Sequence, residues 1–443
     1  MRFFGKFRLT TFRIIACGFV ALILTGTLLL SLPFASRKAG SAEWLDCLFT
    51  ATSAVCVTGL VVQDTASFWT PFGQAVILAL IQIGGMGVVT AAVSLAFLSG
   101  RKIGLMQRGV MQESISAPQL GGIVRLTRFI VLTSLGMEAA GALLLLPAMI
   151  PRFGIGPGIW RAVFHAVSAF CNAGFDLMGF EAPFSSLTGF SRDPWVNIPV
   201  MLLITAGGIG FLVWNDLKEH GFRWKQYRLQ TKAALVTSAC LILLPALWFF
   251  FFETEQLPAE ERILPSLFQS VTLRTAGFNT MDLNGISRTG QALMIVCMLV
   301  GSSPGSTAGG MKTTTAAVLL ITAFAVFRRR DHVTLWGRRI ADDAVRQAVA
   351  ILMMYVLLFF VSGMVISRTE GLPLMSCLFE TASAIGTVGL SLGITPGLSA
   401  ASRLILILLM FLGRVGGLTL MYAAISDRKA EVSRRPVEKI NVG

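Results

Sequence analysis

Four short stretches of the chain repeat one ordered set of marks. Each opens with a Phe, carries Ser or Thr four residues on, and ends in a Gly followed by Leu or Phe. Phe49 leads through Ser53 to Cys56-Val57-Thr58-Gly59-Leu60, and Phe164 through Ser168 to Cys171-Asn172-Ala173-Gly174-Phe175. Phe268 leads through Thr272 to Arg274-Thr275-Ala276-Gly277-Phe278, and Phe379 through Ser383 to Gly386-Thr387-Val388-Gly389-Leu390. The Gly falls ten residues after the Phe in three copies and nine in the third. These loops hold no nucleophile with a base or metal partner beside it, Cys56 and Cys171 included. What they offer is backbone. A Gly permits positive φ and close approach, so four such loops around one axis would aim rows of carbonyl oxygens inward. Carbonyl rings that replace a water shell are how potassium-selective filters work. The candidate ion ligands are Val57, Thr58 and Gly59; Asn172, Ala173 and Gly174; Thr275, Ala276 and Gly277; and Thr387, Val388 and Gly389.

The elements that must hold these loops follow from composition. Of 443 residues, 54% are hydrophobic and 14% charged, against about 25% charged in a soluble domain. A soluble multidomain enzyme, a disordered chain and a fibrous protein are excluded, and the bilayer is the natural solvent. Eight stretches are long enough to cross about 30 Å of hydrocarbon: 12–34, 72–98, 127–150, 196–214, 233–252, 290–326, 345–366 and 402–425. No convincing cleavage site follows the first, which reads as an uncleaved span. Between the members of each pair lies a shorter apolar segment, at 43–55, 160–170, 263–273 and 374–385. These are too short to cross, but they can enter and return. Each ends in one of the four loops. Its helix C-terminus, about half a negative charge, then points at the membrane centre and favours a cation.

Charge sets the orientation. The excess of Lys and Arg, net +14, gathers in alternate loops (Arg2 to Arg13, Arg101 to Arg125, Lys218 to Lys232, Arg328 to Arg339, Arg428 to Arg435). The other loops carry acids, among them Asp64, Asp176, Glu181, Glu253 and Asp282. By the positive-inside rule both termini are cytoplasmic and the short segments enter from outside. The architecture is all-α and polytopic: span, re-entrant helix, Gly loop, span, four times, divided at 1–100, 101–220, 221–330 and 331–443.

A second mark recurs in the closing spans: Gly84-Gly85-Met86, Gly207-Gly208-Ile209, Gly309-Gly310-Met311 and Gly416-Gly417-Leu418. Small pairs permit close helix packing, which suffices at 84, 207 and 416. The third pair ends a run from Gly301 to Gly310 that breaks the sixth span, since each Gly costs a helix about 1 kcal/mol against Ala. Lys312 and Arg414 put positive charge near the inner end of the pathway, and an Arg at depth has a functional or pairing role by default. Glu138 reads as a structural partner, Arg274 as a brace for its loop and His165 as packing. Glu380, early in its helix, is explained by the helix dipole. An intramembrane enzyme would need HExxH or a Ser/His pair at depth; the three histidines, His165, His220 and His332, form neither. No CxxC, Walker or GxGxxG signature is present, so no zinc site, disulfide framework or built-in nucleotide site is indicated.

Over about residues 10–443 this pattern resembles the Trk/Ktr/HKT superfamily of potassium transporters. In these one chain folds four M1–P–M2 units (span, re-entrant pore helix, span) around a single pseudo-four-fold pore. Eight spans make it most similar to the Ktr-type (KtrB-like) membrane subunit. The motifs that carry the likeness are Thr58-Gly59-Leu60, Arg274 to Asn279, Gly305 to Lys312, and Gly413-Arg414-Val415-Gly416-Gly417. The resemblance implies potassium uptake at the plasma membrane, with K⁺ preferred because Gly, not Ser, stands at 59. A sodium-preferring, Na⁺-coupled or proton-coupled relative is the alternative. It implies an intramembrane gate formed by Ser303, Gly305, Ser306, Thr307, Ala308, Gly309, Gly310, Lys312 and Arg414. It further implies no covalent cofactor, K⁺ and with it Na⁺ as the ions handled, no nucleic acid, and a separate cytoplasmic ring of nucleotide-binding RCK subunits. It also implies a homodimer, with the tail Val432 to Gly443 near the dimer interface.

Overall fold

The computed structural model describes residues 11–38, 40, 42–91, 104–115, 121–180 and 182–416. Its first quarter runs α1 (Thr11–Leu30), α2 (Trp44–Val55), α3 (Pro71–Met86) and α4 (Leu105–Ile115). The second runs α5 (Ile123–Phe153), α6 (Ile155–Phe170), α7 (Pro194–Ile209) and α8 (Phe211–His220). The third runs α9 (Leu229–Trp248), α10 (Ala259–Thr272), α11 (Arg288–Leu299) and α12 (Thr313–Phe327). The fourth runs α13 (Asp342–Glu370), α14 (Leu374–Gly386) and α15 (Ala400–Val415). Long helix, short helix, helix recurs four times, which is the M1–P–M2 pattern.

The opening helices α1, α5, α9 and α13 are long and apolar enough to cross a bilayer. Their apolar side chains face outward: Leu143 is 66% exposed, Leu244 66% and Leu357 57%. Such exposure suits lipid and would aggregate a protein in water. The short helices α2, α6, α10 and α14 occupy the centre instead. Phe49, Phe164, Phe268 and Phe379, the first mark of each repeat, are all fully buried there.

Each closing helix starts at a side-chain cap. Thr70 accepts from the Gly73 N–H ahead of Pro71, Asp193 from Trp195, Ser287 from Gly290 and Ser399 from Ser402. Such caps satisfy N–H groups that the helix leaves unpaired. In the last two quarters the cap is itself held by an acid from the opening segment. Ser287 Oγ donates to Glu253 at 2.6 Å, and Ser399 Oγ to Glu370 at 2.5 Å. The ring is fastened where its ends meet. Arg403 Nη1 of the fourth quarter lies 2.7 Å from Asp46 Oδ1 of the first, while Gln63 Nε2 donates to Asp46 Oδ2 at 2.8 Å.

Three expected spans are cut short. The runs 72–98, 196–214 and 402–425 read as continuous, with only the sixth span broken. The helices instead stop at Gly87, Gly210 and Gly416, with φ of 86°, 97° and 87°. Such a φ cannot continue a right-handed helix, and α7 and α8 meet at 92°. The sixth span is broken as expected, into α11 and α12. The breaks also correct the register of the second mark. Gly84-Gly85-Met86-Gly87 and Gly207-Gly208-Ile209-Gly210 are matched by Gly413-Arg414-Val415-Gly416, so Gly416 is the terminating residue and Arg414 stands where the others have glycine. Gly84, Gly207 and Gly413 each lie against a carbonyl at the end of their own short helix, of Val55, Phe170 and Ile385. Gly417 and Leu418 fall outside the described residues. So do Arg2, Arg101, Arg428, Arg435, Glu181 and the tail from Val432 to Gly443.

Candidate functional site

The four Gly loops close into a ring in chain order. A Cβ built on Gly59 would stand 2.6 Å from the Ala173 oxygen and 3.0 Å from Gly174 Cα. One on Gly174 would stand 2.8 Å from the Ala276 oxygen and 2.9 Å from Gly277 Cα. One on Gly277 would stand 2.6 Å from the Val388 oxygen, and one on Gly389 would meet Thr58 and Gly59. All four have positive φ, 93°, 69°, 81° and 94°. Two residues earlier Val57, Asn172, Thr275 and Thr387 also have positive φ, 49° to 61°. For a non-glycine this costs about 1–2 kcal/mol, yet it recurs in all four loops.

Hydrogen bonds explain how it is held. The N–H of Thr58, Ala173, Ala276 and Val388 each donates back to the carbonyl of the repeated Ser or Thr, at 2.8, 2.8, 3.0 and 2.8 Å. In a planar trans peptide the C=O points opposite to the N–H. The carbonyls of Val57, Asn172, Thr275 and Thr387 therefore face away from the short helices. The repeated hydroxyl adds a second brace, in two versions. Gly59 and Gly389 N–H donate to Ser53 and Ser383 Oγ at 3.0 Å each. Ser168 and Thr272 instead donate to the Phe175 and Phe278 carbonyls, at 2.7 and 2.5 Å. Thr58 and Thr387 Oγ1 are buried with no hydrogen-bond partner among the described residues, which leaves polar oxygens at the ring.

On one side of the ring the segment 300–312 crosses from the second quarter to the fourth. Ser303 N–H donates to Gly208 O at 3.0 Å and Phe211 N–H to Gly305 O at 2.8 Å. Thr307 Oγ1 donates to Phe170 O at 3.0 Å and to Asn172 Oδ1 at 3.2 Å. At the far end Gly310 N–H donates to Gly413 O at 3.2 Å. Lys312 Nζ folds back onto the carbonyls of Ala308 (2.9 Å) and Gly309 (3.3 Å). Arg414 donates to the Thr307 carbonyl and to those of Gly84 and Gly85. It staples the segment to the first quarter. Gly305, Ser306, Ala308, Lys312 and Arg414 line an inner cavity of about 210 Å³.

Several residues do something other than expected. His165 is a clamp rather than filler: its Nε2 accepts from Leu177 N–H at 3.3 Å while Nδ1 lies 2.7 Å from Arg161 O. Glu380 does more than meet a helix dipole. It accepts from Leu392 N–H (2.9 Å), Ser391 Oγ (2.7 Å) and Thr395 Oγ1 (2.7 Å), and so holds the outer leg of the fourth loop. The two clamps share a register, one residue after the Phe and twelve before the N–H they hold. Asn172 turns its amide sideways, donating to Arg274 O at 3.2 Å. Glu138 accepts two bonds from Gln82, at 2.9 and 3.0 Å, a structural pairing as expected. The Arg274 side chain is 6% exposed, and its Nε and Nη2 have no partner among the described residues.

Residues 9–432 match the family model TrkH, described as a cation transport protein. The potassium/sodium uptake protein NtpJ of Enterococcus hirae is 39% identical over 98% of each chain. The Ktr system potassium uptake protein B of Bacillus subtilis is 36% identical over 96% of this chain and 95% of its own. The crystal structure of the potassium transporter TrkH from Vibrio parahaemolyticus superposes with a TM-score of 0.74 at 19% identity, covering 95% of this chain and 86% of that one. The chain belongs to the TrkH family of cation transport proteins, in its Ktr-like branch, and is a multi-pass membrane transporter, not an enzyme.

Proposed function

We propose that the chain takes up K⁺ across the plasma membrane through the ring of Gly59, Gly174, Gly277 and Gly389. Residues 302–312, with Arg414, form the gate beneath it. The observation that carries this reading is the closed ring, in which each loop's glycine lies against the carbonyls of the next. A cation gains from carbonyls turned off the short helices, and anions gain nothing. The segment 300–312 spans opposite quarters directly below, where a plug must lie. We read the chain as four repeats, 1–100, 101–220, 221–330 and 331–443, with both termini cytoplasmic. It serves as the pore-forming subunit of a Ktr-type transporter, a homodimer that takes its gating input from a separate nucleotide-binding RCK ring.

Flux of ⁸⁶Rb⁺ into proteoliposomes, with K⁺ or Na⁺ as competitor, tests this together with a chain lacking residues 303–309. The expected result is little flux in the intact chain alone and a large rise on deletion, blocked by K⁺ but not by equal Na⁺. A folded deletion variant with no gain removes the gate. Equal block by Na⁺ favours the second reading, a carrier of both ions, for which the name of the Enterococcus relative speaks.

A further inference from the structure

The ring is braced in two ways, and these divide its loops. In the first and fourth loops the repeated Ser hydroxyl accepts from the ring glycine's N–H, Ser53 from Gly59 and Ser383 from Gly389. In the second and third the hydroxyl is spent on the Phe175 and Phe278 carbonyls. These second and third loops are the ones that hydroxyls of the segment 300–312 reach. Thr307 Oγ1 lies 3.2 Å from Asn172 Oδ1 and shares its hydrogen with Phe170 O at 3.0 Å. Asn172 Nδ2 in turn donates to Arg274 O at 3.2 Å, so one amide links the segment to both loops. Ser302 Oγ lies 3.2 Å from Thr275 Oγ1 and donates to Arg274 O at 3.4 Å. Asn172, Thr275, Ser302 and Thr307 are all fully buried. A Cβ built on Gly207 would stand 2.8 Å from both Asn172 Oδ1 and Thr307 Oγ1, and one on Gly208 would stand 2.9 Å from Ser302 Oγ. The glycine backbone of α7 therefore packs directly on these bonds.

Conformation alone does not call for an amide at 172. Asn tolerates positive φ better than most residues, yet Val57, Thr275 and Thr387 hold a similar φ without one. What sets Asn172 apart is that its side chain branches from backbone that presents a ring carbonyl. Both ends of its amide are bonded, one to the third loop and one to the segment. Resting on the reading of the ring as a cation filter, we propose that Asn172 is a positioning residue for ion selection. Through Thr307 it ties the seated segment to the second and third loops and fixes their carbonyls at the spacing of K⁺. Carbonyls held in this way cannot close on the smaller Na⁺, and released ones can. The first and fourth loops carry their own hydroxyl brace at the glycine N–H and need none from the segment. The ring therefore discriminates best while the segment is seated, and moving the segment loosens two loops of four. K⁺ remains preferred, by a smaller factor. Loss of the buried bond between Thr307 and Asn172 should cost about fivefold in discrimination.

The test reads ion binding without flux. The purified full chain is unfolded thermally at constant ionic strength while K⁺ or Na⁺ replaces an organic cation. An ion that binds the folded ring raises the unfolding midpoint, and the concentration dependence gives a Kd for each ion. The readout is the ratio of the Na⁺ to the K⁺ Kd, which should lie well above one in the wild type. Thr307→Val should lower it about fivefold. Asn172→Val, which installs the residue that holds a similar φ at position 57, should lower it at least as much. Thr307→Ser, which keeps the hydroxyl, should retain the wild-type ratio. The double variant should lower it no further than Asn172→Val alone, because the two side chains act through one bond. Thr322→Val removes a hydroxyl bonded within α12 and should leave the ratio unchanged. An unchanged ratio in Thr307→Val or Asn172→Val, however far their ion-free midpoints fall, overturns the proposal. So does a double loss equal to the product of the single ones, or an equal loss in Thr322→Val. If Asn172→Val does not fold, Thr307→Val, which lies outside the loops, decides alone. A wild-type ratio of one would instead overturn the filter reading beneath it.

Discussion

Replacing the ring glycines by serine, one at a time, should weaken K⁺ over Na⁺ discrimination in a set order. The new Cβ would stand 2.8 Å from the neighbouring carbonyl at Gly174, 2.6 Å at Gly59 and at Gly277, and nearer still at Gly389. Ordinary contact begins at about 3.4 Å, so the carbonyl must retreat by about 0.6 Å for Gly174, about 0.8 Å for Gly59 and Gly277, and more for Gly389. Positive φ adds about 1–2 kcal/mol of strain at each position. The oxygen that moves belongs to the next quarter, so each substitution displaces its neighbour's ligand as well as distorting its own loop. A loss of about 1.4 kcal/mol in the K⁺ against Na⁺ difference is a tenfold loss of discrimination. We expect about that loss at Gly59 and Gly277, less at Gly174 and most at Gly389. The readout is the ratio of Na⁺ to K⁺ concentrations that halve ⁸⁶Rb⁺ flux. Equal losses at all four positions, or the heaviest loss at Gly174, would refute the reasoning.

Arg403→Ala should lower stability by about 3–5 kcal/mol, because it leaves Asp46, 4% exposed, as a buried charge without its cation. Thermal unfolding in detergent measures this, and a shift no larger than that of an exposed pair such as Arg346–Asp343 would contradict it. Arg414→Ala removes the donors to Thr307, Gly84 and Gly85 and should raise partner-free flux about tenfold or more, since each charge-assisted bond is worth about 1.5–3 kcal/mol. Unchanged flux in a folded variant counts against the staple. Glu380→Leu strips the acceptor from Leu392, Ser391 and Thr395 and should impair uptake and stability. Glu380→Gln, which keeps a carbonyl oxygen in place, should retain most of both; if the two variants behave alike in uptake, the clamp is not what the loop needs.

The repeat was legible because each of its marks has one physical job four times over. The Phe must fill the centre, the hydroxyl must brace the loop, and the Gly must accept positive φ beside a neighbour's backbone. Those demands fall on residue types that single-sequence reading can see. The clamps were harder. Position Phe+1 is occupied by Thr50, His165, Gln269 and Glu380, four chemistries at one place, and only His165 and Glu380 reach across. Thr50 Oγ1 and both polar atoms of Gln269 have no partner among the described residues. Self-similarity finds what is repeated and passes over what differs, and here two of the four loops differ in how they are held.

The spans were misjudged for a related reason. Hydropathy sums apolar side chains and is blind to a single φ. The stretches 72–98 and 402–425 are predominantly apolar on both sides of the break, yet Gly87 and Gly416 end their helices. Once the terminating glycine is recognised, the register of the closing spans shifts by three in the fourth quarter and Arg414 falls on the glycine position. Gly85 could not carry a side chain there, since its Cβ would collide with Cys171. In the fourth quarter the guanidinium at the same position reaches both the segment 300–312, at the Thr307 carbonyl, and the first quarter, at the Gly84 and Gly85 carbonyls. The broken sixth span and the arginine are thus one feature. Unwinding the third quarter leaves backbone carbonyls at Thr307, Ala308 and Gly309 without helical partners. Arg414 and Lys312 satisfy those three carbonyls, so any displacement of the segment must give those cations other partners.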